Sequence, residues 1–248
     1  MVQQSQGEST HEAEVSRQQE RAGRILDAAA TLILRWGYHK TTLDDISREA
    51  GVAKATIYLH WKTREELFGA LIIREKLAMA VELKQRIAAD PVGATLGGIL
   101  KHSALALMKR PLLKAVLLRD MDVLGKLAQS QHSRAAYTER MESFKIYLEL
   151  LREHGLVRTD LSLRAQVYLF SAIFVGFFLV APLMPEGYTL ADEELAELMA
   201  EAAHCTLEPA RAAPSEALQS ASHAFLEYLD RRTVVEEQVQ REGLPPVS

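Results

Sequence analysis

The strongest constraint on the fold of this chain is the spacing of its apolar residues, which recur every three or four positions along most of its length. In the first such segment, from about Gln18 to Trp36, Ile25, Ala29 and Ile33 lie one turn apart and form one apolar stripe. No segment alternates convincingly between apolar and polar residues with the period of two that marks a half-buried strand, and Gly and Pro fall mostly between the periodic segments. The pattern therefore predicts an all-α fold.

Helix-breaking and helix-capping residues divide these segments into about nine or ten helices. Gly37 ends the first helix with a residue that adopts left-handed conformations readily. Thr42 begins a short second helix that ends at Gly51, and Thr63 with Glu66 has the spacing of a capping box at the start of a longer helix. The predicted helices span residues 18–36, 42–51, 54–61, 63–89, 92–109, 112–129, 133–154, 162–183, 190–205 and 216–242.

The run from Val167 to Met184 carries no charge, and its length is near the lower limit for a helix that crosses a membrane. Ser171, Gly176 and Pro182 interrupt the run, and no basic cluster follows it to fix an orientation. A helix that is apolar on all sides also fits between other helices or at a subunit interface. Because the other predicted helices are amphipathic, we expect a buried or interfacial helix and no membrane association.

The rest of the composition excludes several classes of protein. A single cysteine, Cys205, precludes an intrachain disulfide and favours a reducing compartment. The polar, acidic N-terminal segment lacks the basic start and apolar stretch of a secretory signal, so we expect a cytoplasmic location. The histidines have no metal-ligand spacing, and the sequence has no Gly-rich phosphate loop and no nucleophile with a base at motif distance. We therefore expect no catalytic residue, no metal and no cofactor, and predict that the chain is not an enzyme.

The net charge of −4 argues at first sight against a nucleic-acid partner, but the charge is unevenly distributed. Residues 17–64 contain nine Lys/Arg and five Asp/Glu, a local charge of +4, whereas residues 192–248 contain four Lys/Arg and twelve Asp/Glu, a local charge of −8. A basic surplus confined to one segment is typical of a DNA-binding surface.

The segment Thr41–Arg64 carries the residues that indicate function. It predicts two short helices joined by a turn at Gly51, with Ile46 and Ile57 placed to form a small core between them. Gly51 suits this turn because a backbone with positive φ disfavours a β-carbon. This is the pattern of a helix-turn-helix, in which the second helix enters the major groove of DNA. A helical hairpin that merely packs, with its lysines solvated, is the alternative.

Side chains of this segment suit contacts with DNA. Lys54 and Thr56 lie at the start of the second helix, where side chains reach base edges. Thr42 presents a hydroxyl and helix-N-terminal amides to a phosphate, and Tyr58, His60 and Lys62 are placed for further phosphate contacts. The candidate DNA-binding residues are Thr42, Lys54, Ala55, Thr56, Tyr58, Leu59, His60 and Lys62.

Several short motifs occur together in residues 25–67. They are Trp36-Gly37-Tyr38 at the end of the first helix, Thr41-Thr42, Ile46 followed by Ala50-Gly51-Val52, Thr56-Ile57-Tyr58 with His60, Trp61-Lys62, and Glu66-Leu67. With these motifs the segment resembles the DNA-binding domain of TetR-family transcriptional regulators, and the resemblance covers about a fifth of the chain. Departures from the usual family pattern leave the operator sequence open; they are Ala53, Ala55, Leu59 and Arg64.

The resemblance implies an all-helical homodimer whose larger C-terminal domain binds a small molecule and carries the dimer interface. It implies a three-helix, helix-turn-helix DNA-binding domain over residues 18–64 and a ligand-binding and dimerisation domain over 65–205. We expect a disordered extension over 1–17 before these two domains. After them we expect a hinge and a C-terminal helix over 206–242, and then a disordered tail over 243–248. We expect an acidic face of the helix 190–205, with Glu193, Glu194, Glu197 and Glu201, to face solvent.

The resemblance also directs attention to apolar side chains of the larger domain, although Met and aromatic residues at helical spacing are more often plain core. Candidate ligand-pocket residues are Met108, Met121, Phe144, Tyr147, Phe170 and Phe174. Candidate dimer-interface residues are Phe170, Phe174, Phe177, Phe178, Leu195 and Leu198.

The predicted function is that of a homodimeric regulator, a repressor by the family's commonest mode, which a small and apolar effector releases from a palindromic operator in double-stranded DNA. The alternative is a DNA-binding regulator without a small-molecule effector, which a protein partner controls through the acidic C-terminal segment.

Overall fold

The computed structural model describes residues 2–124, 131–211 and 213–242. Within these ranges the regular secondary structure is entirely helical, which confirms the predicted all-α fold. The α-helices are α1 (Val2–Trp36), α2 (Leu43–Glu49), α3 (Lys54–His60), α4 (Arg64–Ala89), α5 (Leu96–Met108), α6 (Pro111–Leu118), α7 (Met121–Leu124), α8 (Gln131–Glu153), α9 (Leu163–Val180), α10 (Asp192–Leu207) and α11 (Ser215–Glu242).

The N-terminal helices pack into a small bundle. Ile25 and Ile33 of α1, Ile46 of α2 and Ile57 of α3 are buried together, and Leu67 closes the bundle from the first turn of α4. The apolar stripe of α1 thus faces the core, as its spacing predicts.

The first helix is longer than the sequence pattern indicates. In the structure α1 begins at Val2, so residues 2–17 form its first turns, where a disordered extension was expected. These residues include three Gln and three Glu, which favour helix even without an apolar stripe. Residue 1 and the predicted tail 243–248 lie outside the described residues.

The larger domain is built around the long helix α4. Leu83 and Ile87 of α4 pack against Leu148 of α8 and against Phe225 and Leu229 of α11. A further core is formed by residues from α5, α6, α9 and α10; its buried members include Leu100, Ala104, Leu113, Phe178, Ala196 and Met199. α11 is therefore part of the folded domain, because its apolar stripe helps to enclose α4.

An ion-pair cluster fixes α4 to the junction of α5 and α6. Glu82 accepts hydrogen bonds from Arg110 at 2.7 Å, from Arg86 Nε at 2.9 Å and from Lys109 at 3.0 Å. Burial alone would raise the pKa of Glu82, but these hydrogen bonds outweigh it and lower the pKa from 4.5 to about 2. The carboxylate therefore stays charged and joins two neighbouring elements.

The segment predicted as one helix over 112–129 is broken in the structure. α6 ends at Leu118, Arg119 adopts a left-handed conformation with φ +52°, and α7 begins at Met121. Asp120 Oδ1 accepts hydrogen bonds from the backbone amides of Asp122 and Val123, so it starts a new helix where the pattern suggested continuity. Residues 125–130 lie outside the described part of the chain.

The apolar helix α9 is only partly covered by the rest of the chain. It is preceded by the N-cap Ser162, whose side chain accepts from the amide of Ala165, and it ends at Val180, before Pro182. By length and composition alone the segment Leu163–Leu183 could cross a membrane, although a soluble protein's helix can pass the same test. Only 11% of the residues in its most apolar window are fully buried and most of the others are half-buried, so part of its apolar surface is not covered by the described residues.

Candidate nucleic-acid interface

The turn between α2 and α3 has the geometry that a helix-turn-helix requires. Gly51 has φ +63°, and a β-carbon at this position would meet no atom within 4 Å, so the backbone conformation and not the space demands glycine. Ile46 and Ile57, on either side of the turn, are completely buried. The predicted small core between the two helices is therefore present, and it fixes their relative orientation.

Thr42 caps the N-terminus of α2 through a complete capping box. Its hydroxyl accepts from the amide of Asp45, whose carboxylate accepts in return from the amide of Thr42, each over 3.2 Å. The Thr42 hydroxyl also donates to Asp45 Oδ2 at 2.6 Å, and this hydrogen bond is the main cause of the lowered pKa of Asp45. The exposed N-terminus of α2 is thus held rigidly.

The capping box predicted at Thr63 is only half formed. The Thr63 side chain accepts from the amide of Glu66 at 3.0 Å, as expected. The Glu66 carboxylate, however, accepts from the amide of Lys62 at 2.7 Å, one residue before the cap. Both ends of the short link between α3 and α4 are nevertheless fixed by side-chain hydrogen bonds.

The outer face of α3 carries most of the candidate DNA-binding residues. Lys54, Ala55, Tyr58 and Leu59 are exposed, and Lys62 is exposed just beyond the helix. Leu59 has 73% of its surface exposed. Thr56 and His60 are half-buried at the edges of this face.

The two lysines of this face already have partners within the chain. Lys54 Nζ lies 2.9 Å from Asp44 Oδ2, and this hydrogen bond is the main cause of the raised pKa of the Lys54 ammonium. Lys62 Nζ donates to the carbonyl oxygen of Tyr58 at 3.2 Å. Both ammonium groups stay exposed and keep further donors for an anion.

A network that sequence reasoning missed connects this bundle to α4. Arg64 donates to the carbonyl oxygens of Thr41 at 3.0 Å and Tyr38 at 3.3 Å, and its guanidinium lies 4.0 Å from the centre of the Tyr38 ring. The Tyr38 hydroxyl donates to Glu65 at 2.8 Å, and burial and this bond raise the pKa of Tyr38 to about 12. The sequence gives no signal for contacts over such separations, because they depend on the chain reversal before α2.

The bundle also touches the larger domain directly at the end of α1. Gly37 has φ +79°, and a β-carbon there would lie 2.5 Å from the carbonyl oxygen of Asp122 in α7. The amide of Tyr38 donates to the carbonyl oxygen of Val123 at 2.8 Å. α7 therefore approaches the end of α1 so closely that only glycine fits.

Five of the six candidate ligand-pocket residues lie in the cores of the larger domain. The rings of Phe144 and Phe170 stack with centroids 4.2 Å apart, and Phe174 meets Phe178 edge-on. Tyr147 is buried and donates to the carbonyl oxygen of Ala94. Met108 is half-buried in the core around Phe178.

Met121, the sixth candidate, does not join this group. It lies on α7 with 47% of its surface exposed. The sequence analysis placed Met121 inside one helix over 112–129, whereas in the structure a new helix begins at this residue.

The candidate dimer-interface residues are divided between the inside and the outside of the chain. Phe178 is only 1% exposed and packs within its own chain, so it does not belong to an outer face. Phe170, Phe174, Phe177 and Leu195 are half-buried, whereas Leu198 is 49% exposed.

The exposed apolar surface of this region lies on other residues of α9 and the turns after it. It comprises Tyr168, Leu179, Val180, Leu183, Met184, Tyr188 and Leu190. Periodicity could not reveal this outer side, because α9 is apolar all round. The predicted acidic residues Glu193, Glu194, Glu197 and Glu201 are exposed, as expected.

Comparisons with known proteins agree with this geometry. Residues 25–71 match the family model described as "Bacterial regulatory proteins, tetR family". A region of 59 residues, 24% of this chain and 30% of the relative, is 39% identical to the "Fatty acid metabolism regulator protein" of Bacillus subtilis (strain 168). A longer region of 182 residues, 71% of this chain and 84% of the relative, is 25% identical to the "HTH-type transcriptional regulator AcrR" of Shigella flexneri.

Solved structures extend the similarity beyond the N-terminal bundle. The structure titled "SmeT-Triclosan complex" has a TM-score of 0.60 at 20% sequence identity, over 77% of this chain and 93% of that chain. At this identity the similarity concerns the fold. Several curated relatives are matched over only 24% to 56% of their own length, within less than half of this chain.

Proposed function

We propose that this chain is a regulator of the TetR family, a homodimeric repressor that binds a palindromic operator through α3 and is released by a small apolar effector; the match of residues 25–71 to the family model and the similarity to AcrR support this proposal. The DNA-binding part of this proposal rests on the exposed side chains on the outer face of α3. This face presents exposed Lys54, Tyr58 and Leu59 on a helix whose inner residue Ile57 is fully buried. Such a helix can enter the major groove without any rearrangement of the bundle.

The side chains of this face have distinct parts in the proposed complex. Lys54 and Thr56, near the start of α3, suit base edges, and the exposed Ala55 and Leu59 suit the methyl group of thymine. Lys62, Tyr58 and His60, together with the capped N-terminus of α2 at Thr42, suit phosphates. The Asp44 carboxylate beside Lys54 would compete with DNA for this lysine.

Selection of bound fragments from random duplex DNA tests the proposal. We expect an inverted repeat whose half-sites are about 34–36 Å apart, or a multiple of this distance. Lys62→Ala should reduce the slope of log affinity against log salt by about 0.9 per phosphate lost, whereas Thr56→Ala should change the preferred sequence. Lys145→Ala removes an exposed lysine of α8 and is the matched control. Retention of the parent's affinity, salt slope and sequence preference by both interface variants would contradict the assignment of α3.

The proposal of a homodimer is supported by the exposed apolar surface of α9 and the following turns. Tyr168 and Leu183 are 73% and 75% exposed, and Leu179 between them is 51% exposed. A β-carbon on Gly176 would meet no atom within 4 Å, so this side of the helix has room for a partner. Association of two copies through α9 and α10 would remove this surface from water.

Light scattering tests the dimer. Leu179→Asp places a charge in the centre of the exposed surface and should yield a monomer at micromolar concentration. Val81→Asp, at a residue of α4 with a similar exposed fraction of 52%, is the matched control and should leave the dimer intact. A monomeric parent protein, or a dimeric Leu179→Asp variant, would contradict this interface.

We propose that the effector acts through α4, α6 and α7. The larger domain touches the DNA-binding bundle where α7 meets Gly37 and Tyr38, and α4 is continuous from that bundle to Glu82. A ligand among the aromatic side chains of α8 and α9 would alter the packing of α4 and so the distance between the two copies of α3. Linkage requires that DNA weaken ligand binding as much as the ligand weakens DNA binding.

The alternative of a protein partner at the C-terminal segment is less well supported by the packing of α11. Ala221, Phe225 and Leu229 of α11 are buried in the same core as Leu83 and Ile87 of α4. Removal of α11 would therefore expose this core. Charge reversal at exposed Glu216 and Glu227 is a sharper test, because it alters the surface alone. Lost regulation with intact DNA binding would favour the partner.

A further inference from the structure

The part of α1 that precedes the family-matched segment carries three exposed arginines that the proposed function does not use. Arg17, Arg21 and Arg24 come before residue 25, where the match to the family begins. Their spacing of four and three residues places them on one face of the helix. Glu20 is exposed beside them on the same helix. We refer to these three residues as the arginine face.

The arginine face points toward the side of α1 that packs on the DNA-binding bundle. Arg21 lies one turn before Ile25 and two turns before Ala28, and both of these residues are buried. In the part of α1 before the bundle, arginines thus occupy the helix face that carries the apolar stripe further along. The pKa of the His60 imidazole is lowered, first by burial and second by the positive charge of Arg21. Ile25, four residues after Arg21, and Ile57, three residues before His60, are buried in the same core, so Arg21 lies near the C-terminal end of α3.

The charge of this face is not neutralised within the described residues. Two cations of the helix-turn-helix have carboxylate partners, since Lys54 pairs with Asp44 and Arg48 with Asp45. No ion pair of this kind is formed by the arginines at 17, 21 and 24 with a described side chain, so even with Glu14 and Glu20 the face keeps a surplus of +1. Guanidinium groups bind phosphate oxygens in a bidentate geometry. The face is thus suited to a polyanion that already lies along α3.

We propose that the arginine face binds backbone phosphates of the DNA that flanks each half-site. This inference rests on the proposed function, because it takes the position of the DNA from α3. Arg17 lies eight residues before Ile25, which is about 12 Å along the helix. The protein would consequently cover more DNA than its helix-turn-helix alone reads.

Salt-dependent binding measured by fluorescence anisotropy tests this inference. The probe is the duplex obtained by selection from random DNA, prepared once with flanking sequence and once trimmed to the two half-sites. Arg17→Gln with Arg21→Gln should reduce the salt slope on the flanked duplex by about 1.8 per protomer. Arg211→Gln with Arg231→Gln removes the same charge from exposed residues in the C-terminal part of the chain and should leave the slope unchanged. Arg17→Lys with Arg21→Lys keeps the charge and should retain most of the slope.

The two duplexes separate this inference from the proposed function. We expect the parent protein to bind the trimmed duplex more weakly than the flanked duplex. The Arg17→Gln/Arg21→Gln variant should bind the two duplexes with almost the same affinity. An unchanged salt slope in that variant, or an equal loss on both duplexes, would overturn the role of the arginine face while α3 remains the reading helix. Failure of the parent to select any duplex would instead overturn the proposed function itself.

Discussion

Gly37→Ala is expected to destabilise the protein much more than Gly51→Ala, although both glycines have a positive φ. A β-carbon in the left-handed region costs about 1–2 kcal/mol, and the lower entropy of the unfolded chain returns about 0.4–1 kcal/mol. At Gly51 the new β-carbon would meet no atom within 4 Å. The expected loss in the free energy of unfolding for Gly51→Ala is therefore about 1 kcal/mol.

Gly37 carries an additional cost because α7 lies directly against it. Its β-carbon would stand 2.5 Å from the carbonyl oxygen of Asp122, and a backbone atom cannot move aside as the end of a flexible side chain can. Overpacking of this kind costs about 1–3 kcal/mol, so we expect a total loss of about 2–4 kcal/mol. The displaced segment would include the hydrogen bond from Tyr38 to Val123.

Thermal unfolding followed by circular dichroism, at one fixed protein concentration, measures this difference. Gly155→Ala is a second control, because Gly155 has φ +68° and open space around it. At about 2–4 °C per kcal/mol for a chain of this size, Gly51→Ala and Gly155→Ala should each lower Tm by about 2–4 °C. Gly37→Ala should lower it by roughly 4–16 °C. Equal losses in all three variants would refute the close approach of α7.

Three further substitutions test the packing and the charges around α4. Since the pKa of Glu82 is lowered to about 2, its ion pairs stabilise the fold above pH 4.5 and are lost as the pH falls from there toward 2. Glu82→Gln should remove that part of the pH dependence in acid titrations followed by circular dichroism, and an unchanged acid midpoint would contradict it. Thr63→Ala should lower the free energy of unfolding by about 1 kcal/mol, measured thermally, and no change would show that the cap is dispensable. Phe225→Ala should cost about 3–5 kcal/mol in urea unfolding, whereas a loss below about 1 kcal/mol would place α11 outside the core.

The sequence predicted those parts of the fold that depend on neighbouring residues. The stripe of α1, the caps at Thr42 and Thr63 and the turn at Gly51 each depend on a few consecutive positions, and the structure has all of them. The inner positions Ile46 and Ile57 followed from the same local pattern. The assignment of individual side chains to DNA stays a prediction.

The features that the sequence could not predict depend on residues far apart in the chain. Arg64 reaches Thr41 and Tyr38 only because the chain reverses before α2, and Lys54 meets Asp44 only across the finished turn. Phe178 lies inside and Tyr168 outside, although α9 is apolar on every side, because α5, α6, α8 and α10 cover only part of its surface. The spacing of apolar residues shows which face of an amphipathic helix is buried. It shows no preferred face in a helix that is apolar on every side.

Two polar clusters tie α4 to different parts of the chain. Arg64 and Glu65 join its first turn to the DNA-binding bundle, and Glu82 ties it to the α5–α6 junction of the larger domain. From Glu82 to Thr63 the helix is about 28 Å long. A tilt of about 5° around the Glu82 cluster would therefore displace the attached bundle by about 2.5 Å along an arc of that radius. A displacement of this size is comparable to the helix shifts of about 1–2 Å that separate functional states in other proteins.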